Sequence, residues 1–322
     1  MHVHHRVQTV QTVQTAHVAG EVGQGLHAGR VRPPGPAGMI RGRVFVTRFA
    51  PSPTGPLHLG HALAALTVWD AAQAAGGRCL LRIEDIDHTR ARPEWEAGAL
   101  EDLAWLGLRW EQPVRRQSEH MADYAAALER LRLRGLLRRD FRSRREQAQA
   151  AASAPHGPEA PVRGGPEPDQ AARLARGEPF AWRLSLDAAR GELGEAAWAA
   201  LAYRDAAGGE RRVEPERAGD VVLARKDVGV AYHLACVVDD ALQGVTHVIR
   251  GEDLREAVHP QRLLQALLGL PAPHYRHHPL VLGPDGRRLA KRTGAEPLAA
   301  LRARGVTPAE VRAAVGLPPA GP

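Results

Sequence analysis

The sequence predicts an α/β fold built on a doubly wound parallel sheet, and three observations predict it. Between Val44 and Leu108 a strand-like apolar run alternates twice with a helical pattern. The Pro/Gly-rich segment Ser153–Gln170 then separates this region from a second one. From Val221 onward, strand-like runs and a helical run return. Such alternation is typical of parallel sheets whose crossover connections are helices.

The elements of the first region follow one another closely. The run VFVTRFA, residues 44–50, predicts the first strand. An alanine-rich helix is expected over residues 61–77, where two consecutive glycines stop it. Cys79–Ile83 predicts a second strand that ends in a carboxylate cluster, and residues 93–108 predict a second helix. This order is the beginning of a parallel doubly wound sheet.

The remainder of the chain is less regular. Residues 111–150 are expected to be mostly helical and are rich in arginine, and HPQRLLQALLGL, residues 259–270, predicts a further helix. We therefore divide the chain into five segments: a disordered low-complexity leader (1–38), the first half of the sheet domain (39–112), an inserted α-rich lobe (113–200), the second half of the sheet domain (201–295) and a short helical tail (296–322).

The leader is distinguished by its repeats and its charge. Residues 7–15 repeat the triplet VQT, and residues 30–38 are rich in proline and glycine. Met39 stands just before the first strand, and we expect translation to begin there. The formal net charge is +7, and residues 1–43 contribute five arginines against one acid. A basic balance favours an anionic partner such as nucleic acid or a nucleotide, with a mildly basic soluble enzyme as the alternative.

Cysteine usage and hydropathy exclude several classes of protein. Cys79 and Cys236 are the only cysteines, so a disulfide framework is not supported. We expect both to lie in strands. No apolar run approaches the roughly 18 residues of a membrane span, and no secretory signal follows Met1. We therefore expect a cytoplasmic protein without membrane contact.

The first chemical motif lies in RFAPSPTGPLHLGH, residues 48–61. His58 and His61 stand at i and i+3, so both imidazoles face one way at a helix start. Gly60 between them would let a ligand approach the backbone closely, and the helix N-terminus offers N–H groups to an anion. The pattern indicates phosphate binding. A surface turn with incidental histidines is the alternative.

Three further motifs follow it. RRLAKR, residues 287–292, carries Lys291, which could close over a triphosphate; a solvated charge run is the alternative. In RIEDID, Glu84 stands at the carboxyl end of the second strand, where open α/β sheets bind ligands; a salt bridge is the alternative. In HVIRGEDL, Arg250 just after a strand could clasp a carboxylate, or else pair with Asp253.

In this order and spacing, the four motifs resemble those of a class I aminoacyl-tRNA synthetase of the glutamyl type. H-x-G-H is similar to the first signature of that class, and RLAKR is similar to the second, with Ala290 where serine is usual. The resemblance runs from about Val44 to Gly294 and implies a class I synthetase-type Rossmann fold. It also implies a ligase that uses ATP as a substrate together with Mg²⁺.

A full-length glutamyl enzyme carries a helical anticodon-reading domain after the second signature, whereas here only 28 residues follow Gly294. The chain therefore more closely resembles the truncated glutamyl-queuosine tRNA(Asp) synthetase family. That family activates glutamate and transfers it to queuosine in the anticodon loop of tRNA(Asp). We expect a monomer. The alternatives are a glutamyl-tRNA synthetase that charges a tRNA 3′ end, a small-molecule adenylating enzyme and a non-catalytic RNA-binding paralogue.

The resemblance also implies roles for individual residues. His58, Gly60, His61 and Lys291 match positions that bind ATP, and His58, His61 and Lys291 would stabilise the transition state. The positions that match glutamate contacts of the family are Arg48, Ser52, Glu84, Tyr232 and Arg250.

One feature of the family does not match. Members often carry a zinc site whose first two ligands form a Cys-x-Cys pair, and Asp140 and Arg142 stand where these cysteines would be. Because four thiolate-type ligands cannot be assembled, we expect no structural zinc. Ala290 also removes a hydroxyl contact to phosphate, although Lys291 keeps the charge.

Overall fold

The computed structural model describes residues 44–142, 169–226, 229–282 and 295–319. The leader, most of the segment Ser153–Gln170 and the RRLAKR motif with Lys291 lie outside the described residues, so the predictions made for them stay predictions.

A parallel sheet in two groups of strands forms the centre of the molecule. The first group has the order β1-β2-β3, and the second has the order β7-β6-β10-β9. All pairs are parallel except the β6–β7 hairpin. The strands are β1 (Val46–Phe49), β2 (Arg78–Ile83), β3 (Arg115–Arg116), β6 (Ala202–Asp205), β7 (Gly209–Arg212), β9 (His247–Gly251) and β10 (His274–His278).

Thr246 joins the two groups edge to edge. Its N–H donates to the Val46 carbonyl at 2.9 Å, and the Val46 N–H donates to its hydroxyl Oγ1 at 2.9 Å. The Thr246 carbonyl accepts from the N–H of His274, also at 2.9 Å. β9 therefore lies beside β1, and the doubly wound parallel sheet predicted from the sequence is confirmed. All four residues of β1 are buried, as expected for a central parallel strand covered on both faces.

Helices cover both faces of this sheet. The helices are α1 (Leu59–Ala74), α2 (Pro93–Trp105), α3 (Met121–Leu133), α4 (Gln170–Ala175), α5 (Leu186–Leu193), α6 (Glu195–Ala199), α7 (Tyr232–Leu242), α8 (Val258–Leu268), α9 (Leu298–Ala303) and α10 (Pro308–Ala314). One apolar cluster contains residues of α1, α2, α9 and α10, and a second contains residues of α3, α7 and α8. None of the described helices is long and apolar enough to cross a membrane.

The inserted lobe contains an antiparallel sheet in addition to its helices. Its strands are β4 (Leu137–Asp140), β5 (Ala181–Leu184) and β8 (Val222–Ala224), in the order β4-β5-β8. The expectation that residues 111–150 are mostly helical is wrong at β4. LRRD carries no local strand signal, and its extended form depends on pairing with β5, some forty residues away along the chain.

Cys79 lies in β2 as predicted, but the expectation that Cys236 lies in a strand is wrong, because it lies in α7. The run that contains Cys236 is rich in valine and ends in Asp239 and Asp240, so it reads as a strand followed by a polar turn. In the structure both aspartates are buried within the helix. Arginines from neighbouring strands pair with them, and that compensation is not visible in the local sequence.

Candidate active site

The two histidines of the H-x-G-H motif form the N-terminal cap of α1. His58 is the N-cap residue, and its Nδ1 accepts a hydrogen bond from the Gly60 N–H at 3.1 Å. The Nδ1 of His61 accepts in turn from the His58 N–H at 3.1 Å. Because a neutral imidazole that accepts at Nδ1 carries its proton at Nε2, both rings can donate from Nε2. The ring centroids are 4.0 Å apart.

Gly60 has a role in the cap as well. A Cβ atom at this position would stand 3.0 Å from Cε1 and 3.1 Å from Nδ1 of His58. The missing side chain therefore makes room for the His58 ring, which accepts a hydrogen bond from the Gly60 N–H. The expected approach of a ligand to the Gly60 backbone stays a prediction.

The segment that follows the second signature pairs with the first signature motif. Residues His58 and Pro297 form an antiparallel bridge, and the Leu298 N–H donates to the Leu57 carbonyl at 2.9 Å. Pro297 stands six residues after Lys291. The fold thus anchors the C-terminal flank of the RRLAKR motif beside the two histidines.

Arg48 and Glu84 belong to a buried ion-pair cluster, which we define as Arg48, Arg82, Glu84, Asp239 and Asp240. Arg48 Nε donates to Asp240 Oδ1 at 2.9 Å, and Arg82 Nη1 donates to the same oxygen at 2.7 Å. Arg82 Nη2 donates to Glu84 Oε1 at 3.1 Å. Arg82 Nε lies 3.6 Å from Asp239 Oδ2. One buried guanidinium therefore connects the two residues predicted to contact glutamate.

Burial and pairing oppose each other in this cluster. Burial alone would lower the pKa of Arg82, but the carboxylates of Asp240 and Glu84 raise it well above its usual value. Burial alone would raise the pKa of Asp240, but Arg48 and Arg82 lower it to about 2. At Glu84 the effect of burial is larger than that of Arg82, so the pKa of this carboxyl is raised. The balance favours ionised Asp240 and makes Glu84 the weaker acid of the two.

Arg250 lies within β9 near its carboxyl end, not after the strand as expected. Its Nη1 donates to Gln261 Oε1 at 2.8 Å, its Nε approaches His277 Nε2 at 3.4 Å, and its guanidinium carbon stands 5.5 Å from the Tyr275 ring centroid. Each of these partners is neutral; burial and the Arg250 charge lower the pKa of His277 to about 4. Asp253, the alternative partner considered above, forms no recorded ion pair with Arg250 within the described ranges.

Arg250 also has an unpaired atom. Its side chain is 5 % exposed, and its Nη2 is buried without a hydrogen-bond partner in the part of the chain that the structure describes. A buried cation that has only neutral neighbours is expensive unless an anion joins it. This guanidinium is therefore suited to bind a carboxylate.

A cavity of about 610 Å³ lies at the carboxyl edge of the sheet. Ser52, Glu84 and Tyr232 line one part of it, so three of the residues predicted to contact glutamate meet there. Arg48 and Arg250 do not line the cavity but lie close to Tyr232, whose pKa burial raises and the two arginines lower. The geometry brings the predicted amino-acid contacts together around Tyr232.

The other part of this cavity belongs to the lobe. Arg142 and Arg183 line it from the β4–β5 side, and Arg225 and Lys226 follow β8. A second cavity of about 670 Å³ lies at the opposite, amino edge of the sheet, beside Phe45 and His247. Because the predicted site residues are absent from its lining, the first cavity is the candidate active site.

The residues at the family's zinc position do not fit a metal. Asp140 is 1 % exposed, and its carboxylate accepts from Arg142 Nε at 2.9 Å and from Arg183 Nε at 2.5 Å. A guanidinium has no lone pair to offer a metal. Within the described ranges, no group of three His, Cys, Asp or Glu side chains could hold one. Arginine–carboxylate bonds occupy the position instead.

Sequence reasoning missed Arg82, Asp239, Asp240 and Gln261. A signal for the first three existed: Arg82 interrupts an apolar strand, and the paired aspartates follow an apolar run. Charges within apolar runs are rarely buried without partners, so they could have been matched to each other. Gln261 gave no comparable signal.

With this geometry in view, the chain can be compared with known proteins. Residues 44–317 match the family model for tRNA synthetases class I (E and Q), catalytic domain. The chain belongs to this family. It is therefore a ligase-type enzyme of the aminoacyl-tRNA synthetase kind, with a Rossmann-like catalytic domain.

Relatives of the family agree with this assignment. The Glutamyl-Q tRNA(Asp) synthetase of Rhodobacter capsulatus is 50% identical over 288 residues, which cover 85% of this chain and all of the relative. The protein of the same name from Symbiobacterium thermophilum is 45% identical and covers 82% of this chain and 83% of the relative.

Solved structures give the same fold. A glutamate tRNA ligase from Elizabethkingia meningosepticum in complex with its amino acid is 30% identical, with a TM-score of 0.63. A glutamate-tRNA synthetase from Elizabethkingia anophelis has a TM-score of 0.65 at 29% identity. Each match covers 78% of this chain and 53% of the solved chain, so the present chain spans about half the length of these structures.

Proposed function

We propose that the chain activates L-glutamate with ATP and transfers the glutamyl group to queuosine in the anticodon loop of tRNA(Asp). The observation that carries the proposal is Arg250, a buried guanidinium whose hydrogen-bond partners among the described residues are neutral, next to the cavity lined by Glu84 and Tyr232. An acidic amino acid supplies the anion that this guanidinium lacks. The names of the most similar curated relatives support glutamate and tRNA(Asp) as substrates.

In the proposed complex, opposite charges orient the amino acid. Arg250 binds the side-chain carboxylate, and Glu84 accepts from the α-amino group. Ser52 and Tyr232 complete the wall of the cavity. Arg48 Nε is committed to Asp240, so any contact with substrate comes from its terminal nitrogens. This leaves the α-carboxylate as the group available for reaction.

Activation is an in-line displacement at phosphorus. An oxygen of the α-carboxylate attacks the α-phosphorus of ATP, the bond to the bridging oxygen breaks, and pyrophosphate leaves with that electron pair. The product is glutamyl-adenylate, and no proton needs to move. The Nε2–H groups of His58 and His61 stabilise the charge that develops on the phosphoryl oxygens. Mg²⁺ enters with the nucleotide and supplies charge neutralisation.

Lys291 is proposed to bind the leaving pyrophosphate. The six residues from Lys291 to Pro297 span at most about 20 Å when extended. Pro297 is bridged to His58, so the lysine can reach the nucleotide. Transfer then follows: a hydroxyl of the queuosine base attacks the adenylate carbonyl, AMP leaves, and the hydroxyl proton passes to solvent.

The lobe side of the cavity supports an RNA acceptor. Three carboxylates line the cavity, and the buried Asp140 behind it pairs with Arg142 and Arg183. The cationic side chains that line the cavity are Arg90, Arg142, Arg183, Arg225 and Lys226. Backbone phosphates next to the acceptor base would be attracted to this wall. A tRNA substrate and two free cysteines are consistent with action in the cytoplasm, and we propose that the chain acts as a monomer.

The decisive experiment measures ATP–pyrophosphate exchange without tRNA, with glutamate, aspartate and glutamine compared. Glutamate-dependent exchange is expected, because the site binds one acidic side chain of defined length. Exchange that needs no amino acid would instead indicate a nucleotidylyltransferase, and no exchange at all would indicate a non-catalytic paralogue.

A second assay identifies the acceptor. Glutamate should be transferred to tRNA(Asp) that carries queuosine and not to the same tRNA without it. Transfer to the 3′ end of either tRNA would overturn the proposal in favour of 3′-end charging.

The role of Lys291 has its own test. Lys291→Ala should slow exchange by about 100-fold, the usual size of a lost charge contact in a transition state. Arg292→Ala removes the neighbouring charge and should have a much smaller effect. Equal effects of the two variants would assign the role to the charge of the segment and not to this lysine.

A further inference from the structure

Gln261 is held against Arg250 in the interior of the protein. It lies in α8 and is 2 % exposed, and its Oε1 accepts from Arg250 Nη1 at 2.8 Å. A guanidinium can only donate hydrogen bonds. The amide oxygen of Gln261 must therefore face Arg250, which turns the amide nitrogen away from that bond.

This arrangement leaves two buried donors. Gln261 Nε2 and Arg250 Nη2 are both buried and lack a hydrogen-bond partner among the residues that the structure describes. The other groups of the Arg250 guanidinium have partners, since its Nε approaches His277 Nε2 at 3.4 Å and it packs on the Tyr275 ring. Buried donors of this kind are rare in folded proteins because each one costs free energy when it has no acceptor. Two such donors on bonded side chains match the two oxygens of one carboxylate.

We infer that Gln261 is a specificity-determining residue for the amino acid: Oε1 fixes the orientation of Arg250, and Nε2 donates a second hydrogen bond to the same substrate carboxylate. The inference rests on the proposed function and adds a residue to it. Glutamate presents only acceptors to these donors. Glutamine would present an NH₂ group to one of them, which leaves two donors facing each other.

If Gln261 had a purely structural role, a substitution at this position would be expected to give a different result. If the amide only holds Arg250 in place, a carboxylate of the same shape should do so at least as well, because it would form an ion pair with the guanidinium. Gln261→Glu separates the two roles through its effect on glutamine, because the new charge beside Arg250 weakens glutamate binding in either role. In the inferred role, the new carboxylate also contacts the substrate side chain and can accept from the NH₂ group of glutamine, so kcat/KM for glutamine should rise; in a purely structural role it should not.

The chain offers a matched control. Gln265 lies one helical turn further along α8 and is also 2 % exposed. It accepts from Arg262 Nη1 at 3.3 Å and donates to the Tyr275 hydroxyl at 3.2 Å. Gln265→Glu therefore makes the same substitution, at the same depth and beside another arginine, without touching Arg250.

The experiment measures KM for glutamate and for ATP in pyrophosphate exchange, the ratio of kcat/KM for glutamate over glutamine, and the melting temperature. For Gln261→Glu we expect KM for glutamate to rise about 100-fold with KM for ATP nearly unchanged, and the ratio to fall at least about tenfold. For Gln265→Glu we expect changes within about threefold in each kinetic constant.

The possible outcomes distinguish a failure of the inference about Gln261 from a failure of the proposed function. A kcat/KM for glutamine that does not rise in a folded Gln261→Glu protein would overturn the inference and leave the proposed function standing. If that variant does not fold, Gln261→Met replaces it, with an expected rise in KM for glutamate of about 30-fold; an unchanged KM would overturn the inference. A wild-type chain without glutamate-dependent exchange would overturn both.

Discussion

Buried arginines in two regions of this molecule differ in whether carboxylates of the described chain balance their charge. Arg48 and Arg82, on β1 and β2, are bonded to the carboxylates of Asp240 and Glu84. Arg250, on β9, is also buried, but among the described residues its hydrogen bonds go to an amide and an imidazole alone. The first group balances its charge with residues of the chain itself. The second keeps a positive charge that no described carboxylate balances.

The difference distinguishes charged groups that stabilise the fold from a charged group that is proposed to bind substrate. Buried charges cost free energy when they leave water, and attraction within the protein offsets that cost only where the partner is also part of the fold. In the proposed function, Arg250 gains its offset only when the substrate anion binds, so the stability lost in the free protein would reappear as selectivity for the ligand. The same residue type therefore stabilises the fold on one pair of strands and is proposed to select the substrate on another.

Of the substitutions that test this comparison, Arg82→Met should have the largest effect, and it should lower the free energy of unfolding. It would leave Asp239, Asp240 and Glu84 buried without their shared cation, and breaking buried pairs of this kind costs about 3–5 kcal/mol. We expect that loss in the free energy of unfolding, measured by urea titration at pH 7. An unfolding free energy equal to that of the wild type would show that the cluster is not an electrostatic support.

Arg250→Met should act on substrate binding instead. We expect kcat/KM for glutamate to fall by about 100- to 1000-fold, corresponding to about 3–4 kcal/mol, while the free energy of unfolding changes by less than about 1 kcal/mol. Pyrophosphate exchange and urea titration on the same preparations measure the two quantities. A variant that loses stability as Arg82→Met does, but keeps its activity, would erase the distinction between the groups.

Asp240→Asn tests the pairing of Arg48 and Arg82 with Asp240 through the pH dependence of stability. The pKa of Asp240 is lowered from 3.8 to about 2 by Arg48 and Arg82, against the effect of burial. A lowered pKa contributes stability that is complete above the unfolded value and is lost as pH falls through the folded value. We therefore expect about 2 kcal/mol less stability in the variant at pH 7.

That difference should shrink between pH 4 and 2, because the wild-type carboxyl becomes protonated in this range. Urea titrations of both proteins across the range measure it. A difference that stays constant down to pH 2 would mean that the two arginines do not hold the Asp240 carboxylate ionised.

Cys236→Ala should give the smallest effect. The thiol lies 3.9 Å from Arg48 Nη2 and 3.7 Å from Arg82 Nη2, so its contacts are weak beside those of the carboxylates. We expect a loss of about 1 kcal/mol, the size of a small buried cavity. Burial also raises the pKa of the thiol to about 12, so Cys236 in the folded protein should resist alkylation at pH 8. Rapid labelling of Cys236, distinguished from Cys79 by peptide mapping, would show that the cluster is open to solvent.

In the central sheet, β1 and β2 were predictable because they are largely buried and therefore read as apolar runs, whereas the exposed, charged β7 gave no such signal. Cys79–Ile83 fell within β2, and the helix at residues 259–270 corresponds closely to α8. The α7 helix and β4 were missed for one shared reason. Both contain charged residues that are buried, Asp240 in one and Asp140 in the other, and local patterns assign such residues to the surface.

Some residues of the candidate site could also be predicted from the sequence, and others could not. Glu84 was found from a motif and Tyr232 from the family resemblance, and both line one cavity in the structure. Arg82 and Gln261 were not found, because each acts on a motif residue through a contact made only after folding. Gln261 is a helical glutamine like any other until α8 packs it against β9.

The sequence alone determined the alternation of strands and helices, the four motifs and the family to which they belong, because these depend on residue type and on spacing along the chain. Only the tertiary structure decided which charges cancel each other. Coulomb attraction and desolvation depend on distance and burial, and residues about 190 positions apart, such as Arg48 and Asp240, acquire both only when the sheet and its helices pack together.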